Sequence, residues 1–133
     1  MSIFDKSIAT FLAPVKPFLD EVSSALFASL RRPYQKATAI FEWEGELDVD
    51  RAIPLGLGMV EAIIAGIDGV RATFVAVRLC PAGQGEVELI VCADGVRADD
   101  QPSDKIMIGL AGQLGATRES RTTGEVLAWR FAP

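Results

Sequence analysis

Glu61 stands alone among apolar neighbours in the run DRAIPLGLGMVEAIIAG, residues 50–66. On a helix, Gly58 and Ala65 lie three residues before it and four after it, so one carboxylate sits between two very small residues. Burying that carboxylate unpaired would be costly, so water or a polar partner must meet it. Other chemistry is sparse. Histidine is absent, which removes an imidazole base, a histidine metal ligand and a phosphohistidine. Two cysteines, Cys80 and Cys92, have neither a third sulfur nor an imidazole to complete a zinc site. Both are read as reduced structural thiols, because a hairpin between them would hold their Cα atoms beyond the roughly 7 Å limit for a disulfide. No serine or threonine sits in a nucleophile-elbow sequence. Gly56, Gly58 and Gly66 lie within the helix rather than opening one after a strand, so they are not a dinucleotide fingerprint. Glu42, Glu44 and Glu46 have the period of one solvated strand face.

The helix carrying Glu61 needs a domain around it. The 133 residues suffice for a single domain with a real core, and half of them are hydrophobic. A net charge of −5 opposes non-specific binding to nucleic acid or an anionic membrane. No apolar run reaches the about 18 residues of a membrane span, and MSIFDKS lacks an apolar signal core. A cytoplasmic protein is the expectation.

Within the helix, Ile53, Leu57, Val60, Ile64 and Ile67 recur at steps of four and three, a stripe expected to face the core. Leu55, Met59, Ala62 and Ile63 widen it. Asp50 is the expected N-cap and Asp68-Gly69 the stop. Upstream, Ile3 to Ala13 reads as a short helix interrupted by Pro14 and Pro17. Phe18 to Arg31 reads as a second, with Phe18, Val22, Ala25, Leu26 and Ser29 on one face. Residues 1–32 thus form either a helical segment packed on its own domain or a dimerisation hairpin. Thr38 to Trp43 has strand composition. Ala72 to Cys80 and Glu86 to Ala93 alternate on either side of a proline and two glycines, an antiparallel hairpin. Ser103 can cap a helix to Leu114 with Ile106, Leu110 and Leu114 inward, and Gly115 ends it. Arg118 to Thr122 and Glu125 to Phe131 complete the strands. The expected fold is an α+β two-layer sandwich: a mixed, mostly antiparallel sheet with helices on one face. One domain spans 1–133, with a helical segment 1–32 and a sandwich 33–133.

This order of elements comes with local words: RRPY at 31–34, Gly45, the run at 50–66, the ADG turn, GLAGQLGA and TGEVLAWRF. Together they resemble the GHKL ATP-binding domain of sensor histidine kinases, in particular the bacterial HWE-type, over roughly residues 28–133. The resemblance implies a Bergerat-type sandwich and a place in two-component signal transduction. It also implies an acid on the central helix that activates the attacking group, which Glu61 matches, and a magnesium-holding asparagine four residues later. Ala65 stands at that second position and offers no oxygen, whereas magnesium needs hard oxygen ligands.

The family's adenine-contacting aspartate ends a central strand before a glycine turn. An ungapped reading of VCADGV puts Ala93 there and Gly95 at the glycine; a slip of one residue restores Asp94. Alternation of Val87, Leu89 and Val91 favours the ungapped register. The family's glycine-rich phosphate lid corresponds to ADDQPSDKIMIG, which is acidic and lacks glycine before Gly109. Thr123-Gly124 is all that remains of a glycine-threonine signature. With no histidine, the isolated chain cannot phosphorylate itself in the usual manner. The expectation is a non-catalytic, pseudokinase-like module that acts through a protein partner, with no bound ATP or metal. Two alternatives stay open. One is an ATP- and magnesium-using module acting in trans on a partner's histidine, with Glu61 as base and Asp94 and Gly95 at adenine. The other is a small-molecule site lined by Gly58, Glu61, Ala65 and Asp94.

Overall fold

The computed structural model describes residues 11–95, 104–119 and 124–133. The expected helix from Ile3 falls mostly outside them, as do Ser103 and the turn residue Thr123. Among the described residues, ten elements follow in order: β1 (Leu12–Pro14), α1 (Val15–Leu30), β2 (Lys36–Phe41), β3 (Glu46–Asp48), α2 (Val49–Ile67), β4 (Phe74–Gly83), β5 (Glu86–Ala93), α3 (Asp104–Leu114), β6 (Thr117–Arg118) and β7 (Glu125–Phe131). Five strands form one sheet in the order β2-β4-β5-β7-β6. Only β2 and β4 are parallel; the other pairs are antiparallel. The mixed sheet with its three helices is the α+β sandwich that the element order implied.

Alternation decides which sheet face is covered. Val75, Val77 and Leu79 of β4 and Val87, Leu89 and Val91 of β5 are buried, and they join one core cluster with the helices. The hairpin between them closes at Gln84 and Gly85, both with positive φ, as a two-residue turn matched to strand twist requires. Cys80 lies opposite Glu88 and Cys92 opposite Ala76, so the thiols are apart and free. Burial raises the pKa of both above the ordinary thiol value.

The helices depart from the sequence reading in detail. Residues 12–14 form a strand paired with β3 rather than a helix end. Pro17 sits in the first turn of α1, where backbone donors have no intrahelical partner, so it interrupts nothing. The buried side of α1 is Val15, Leu19 and Ser23, flanked by Phe18, Val22 and Leu26, while Ala25 and Ser29 are exposed. Helix α2 begins at Val49 after Asp48, not with Asp50 as cap. In α3, Leu114 is buried and Leu110 packs against the core as expected, whereas Ile106 is exposed and Met107 and Ala111 are buried in addition.

The largest correction concerns α2. Leu55, Met59, Ala62, Ile63 and Ile67 are buried, whereas Ile53 and Leu57 are each 49% exposed. Small residues explain this rotation. A Cβ on Gly56 would lie 2.8 Å from the Phe18 ring, one on Gly58 would run into the Trp129 indole, and one on Gly66 would come within 3.1 Å of Ala93. The glycine side lets α1 and the sheet approach the helix backbone, so it turns inward and the Ile53–Leu57 side turns out.

Two polar groups fasten α2 at its ends. Gln35 is 2% exposed; its amide nitrogen donates to the carbonyls of Ile67 (3.0 Å) and Ala72 (3.1 Å), and its oxygen accepts from the Arg32 backbone (2.9 Å). At the other end, Arg51 donates through Nε and Nη2 to the Leu114 carbonyl at 2.9 and 2.7 Å and through Nη2 to the Ala132 carbonyl at 2.6 Å. Its guanidinium also lies 5.9 Å from the centre of the Phe131 ring. Arg51 thereby satisfies a carbonyl that the end of α3 leaves without an intrahelical donor. Arg51→Ala is expected to cost about 1.5–2 kcal/mol in urea denaturation, because charged donors are lost but water can replace part of them. Arg51→Lys should recover less than half, since an ammonium cannot reproduce the fork. Unchanged stability in Arg51→Ala would exclude this clasp.

Candidate functional site

Glu61 lies on the outward, half-buried side of α2, four residues from Ala65 and four from Leu57. At the rise of an α-helix these positions stack on one face. The strip therefore reads Ile53, Leu57, Glu61, Ala65: one carboxylate on an otherwise apolar line. No described residue gives Glu61 a hydrogen bond or ion pair. Ala65 packs at the margin of the core and carries no oxygen to offer a cation.

Gly58 is not part of this strip. It is buried, facing Trp129 on β7. Gly58 lies one helical turn before Glu61, and its Cα side is covered by the Trp129 indole.

At the end of β5, Ala93 is buried while Asp94 is exposed. The ladder explains the difference, because Ala93 pairs with Val75 on the covered face and faces Gly66 of α2. Asp94 follows outside the ladder. Its Oδ1 accepts from the Thr73 backbone at 2.7 Å and the Phe74 backbone at 3.2 Å, and its Oδ2 accepts from the Thr73 hydroxyl. A carboxylate has about four acceptor positions, so three of them serve the start of β4. These bonds, led by the Thr73 hydroxyl, hold the Asp94 carboxyl below its ordinary pKa. Gly95 packs against the backbone of Val70 and Ala72, and a Cβ on Gly69 would lie 2.8 Å from its carbonyl oxygen. The turns that follow α2 and β5 are thus joined, and Asp94 ties both to β4.

A lowered folded pKa makes ionised Asp94 a stabilising group above its unfolded pKa, and that contribution disappears as pH falls through the folded value. Asp94→Ala should therefore lose stability at neutral pH and show a shallower fall on acidification than the parent. Parallel acid limbs in the two proteins would show that Asp94 does not clamp the turn.

Sequence reasoning missed Thr73 as the partner of Asp94. The two are 21 residues apart, and only the β4–β5 register brings them together. Among the described residues, no group of three His, Cys, Asp or Glu is placed to hold a metal ion. No described helix is long and apolar enough to cross a membrane.

Comparison by sequence finds no matching family model and no matching curated relative. Comparison by structure is different. The blue-light activated histidine kinase EL346 of Erythrobacter litoralis superimposes with a TM-score of 0.75 at 20% identity, covering 90% of this chain and 45% of the kinase. The chain thus spans less than half of that protein. The catalytic domain of histidine kinase ThkA matches with a TM-score of 0.64 at 11% identity, covering 91% of this chain and 94% of the domain. The mycobacterial sensor histidine kinase MprB matches with a TM-score of 0.62 at 12% identity, over 90% of this chain and 93% of the matched one. At such identities the likeness is one of fold. This chain has the GHKL-type fold of histidine kinase catalytic domains.

Proposed function

We propose that this GHKL-fold domain works as a non-catalytic protein-docking module in bacterial signal transduction. The observation that carries this reading is the outward strip of α2. The resemblance implies that this strip would carry an activating acid and, four residues later, an asparagine that holds magnesium. Here it presents Ile53 and Leu57, both half exposed, and Ala65, with Glu61 as its only polar side chain. Exposed aliphatic side chains arranged along one helix face are suited to burying apolar surface against a protein. Asp94 supports the same reading, since most of its acceptor capacity serves Thr73 and Phe74 rather than a ligand. Loss of the magnesium position at Ala65 and engagement of Asp94 leave Glu61 without the groups that would make it a base in phosphoryl transfer.

Isothermal titration of the purified chain with Mg-ATP tests the reading. No saturable heat is expected up to millimolar nucleotide, against a control histidine kinase domain run in parallel. Binding with a micromolar Kd would replace the docking module with a nucleotide-binding one. A Glu61→Ala variant without ATP turnover, set against a parent with turnover, would then assign catalysis in trans.

A further inference from the structure

Strand β2 closes one edge of the five-stranded sheet, and β6 closes the other. The Lys36 amide donates to the Thr73 carbonyl at 2.8 Å and the Glu42 amide to the Leu79 carbonyl at 2.7 Å. Backbone polar groups alternate in direction along a strand. Even-numbered residues of β2 therefore face β4, and the N–H and C=O of Ala37, Ala39 and Phe41 face away from it. No described residue bonds to those groups. Sheet edges are normally blunted by brevity, proline, bulges or inward charges. Strand β6 is blunted in the first way, being two residues long. Strand β2 has six residues, pairs with β4 without a shift in register, and reads KATAIF, with neither proline nor glycine. Its Ile40, opposite Arg78 on the sheet, is 55% exposed.

We propose that this edge pairs with the same edge of a second copy of the chain, antiparallel about a two-fold axis at Ala39. An antiparallel pair exchanges hydrogen bonds between residues whose polar groups point across the gap. Centred on Ala39, the pair sets Ala39 against the partner's Ala39 and Ala37 against the partner's Phe41. All three outward-facing residues of each strand are then used. The side chains agree with that register. Lys36 falls opposite the partner's Glu42, and the exposed Ile40 falls opposite the partner's Thr38, a β-branched residue suited to the pairing. Glu42 lies 3.2 Å from Arg78 within its own chain, yet its side chain is 48% exposed and can receive a second cation. Other centres lose this match. A centre at Thr38 sets Lys36 against the partner's Ile40, and a centre at Ile40 sets it against the partner's Glu44, beyond the end of the strand. Opposite charges across a strand pair favour a register, and like charges oppose it. The contact uses the same patch on both copies, so it closes as a dimer and joins the two five-stranded sheets into one. None of its residues belongs to α2, so the inference stands apart from the docking reading.

Sedimentation velocity of the whole chain, from micromolar to millimolar concentration, tests the pairing. A reversible dimer is expected, because a single strand edge makes an interface at the small end of the specific range. Lys36→Glu alone sets carboxylate against carboxylate at both ends of the pair, and Glu42→Lys alone sets ammonium against ammonium. Each should raise the dimer Kd by about tenfold or more. Mixing the two variants sets acid against base at both ends again and should restore a dimer, now of unlike chains, with an affinity near that of the parent. Ala39→Pro removes an N–H that β4 does not use and should give a monomer with the circular dichroism of the parent. If that variant fails to fold, the mixing experiment decides. A parent that stays monomeric at millimolar concentration would overturn the proposal. So would a dimer indifferent to the charge variants, or one that mixing does not restore, since either would place the contact elsewhere.

Discussion

Gln35→Leu should be among the most damaging single substitutions in this domain, lowering stability by roughly 3–5 kcal/mol. Leucine fills a similar volume, so little of the loss comes from a cavity. The loss comes from polar groups left behind. The carbonyls of Ile67 and Ala72 and the amide of Arg32 all bond to the Gln35 side chain, which is 2% exposed. Each buried group left unpaired costs about 1–3 kcal/mol. The Ile67 carbonyl retains a second donor, the Arg32 guanidinium at 2.9 Å, so its share is the smallest. A domain of this size is stable by only about 5–15 kcal/mol in total, and a midpoint shift of 10 °C or more is expected, at roughly 3–5 °C per kcal/mol. Differential scanning calorimetry on parent and variant measures it. Gln35→Glu offers a control that keeps the acceptor and removes both donors. It should be damaged as well, since an ionised carboxylate would face two carbonyl oxygens. A variant within 1 kcal/mol of the parent would show that the end of α2 is held by its apolar contacts alone.

The reading from sequence succeeded where a single period is unopposed. Val75, Val77 and Leu79, followed by Val87, Leu89 and Val91, recur at a period of two with Arg78, Glu86 and Glu88 among the interleaved residues, so the hairpin and its buried face were legible. Gly115, with φ of 77°, ends α3 as its glycine suggested. Helix α2 was legible as a helix but not in its rotation. Both Ile53–Leu57 and Leu55–Met59 are apolar, and nothing in their types ranks one above the other. What decides is where Phe18 and Trp129 can approach the backbone, and those residues lie 38 positions before Gly56 and 71 after Gly58. Gln35 carried no signal at all, because a lone amide after Pro33-Tyr34 looks like loop. For the candidate site, the position of Ala65 beside Glu61 followed from helical spacing. The engagement of Asp94 did not, since it depends on the pairing of β4 with β5. Long-range register, more than local propensity, separates the legible parts from the rest.

Gly58→Ala sets two effects of opposite sign against each other. In an exposed helix interior the change would stabilise by about 1 kcal/mol, because glycine is the poorer helix former. Here the new methyl would fall on the Cη2 and Cζ3 atoms of Trp129, whose side chain is 0% exposed and fixed between α2 and the sheet. An aromatic ring in a full core cannot swing aside as the tip of an exposed lysine can. Relief requires α2 to lift from β7 or the indole to leave its rotamer, and overpacking of this kind costs about 1–3 kcal/mol or more. The net expectation is a loss of about 2 kcal/mol for Gly58→Ala and about 3 kcal/mol for Gly58→Val, whose branched Cβ has less room to adjust. A double-mutant cycle separates the clash from any general weakening of the helix. Trp129→Phe removes the benzo edge that the methyl would strike, at its own cost in lost packing. In that background Gly58→Ala should cost at least 1 kcal/mol less than in the parent, and its helix-forming advantage should begin to show. Additive losses, with no coupling, would mean that the small residue at position 58 is not what lets this helix lie close on the sheet and turns Ile53, Leu57 and Glu61 outward.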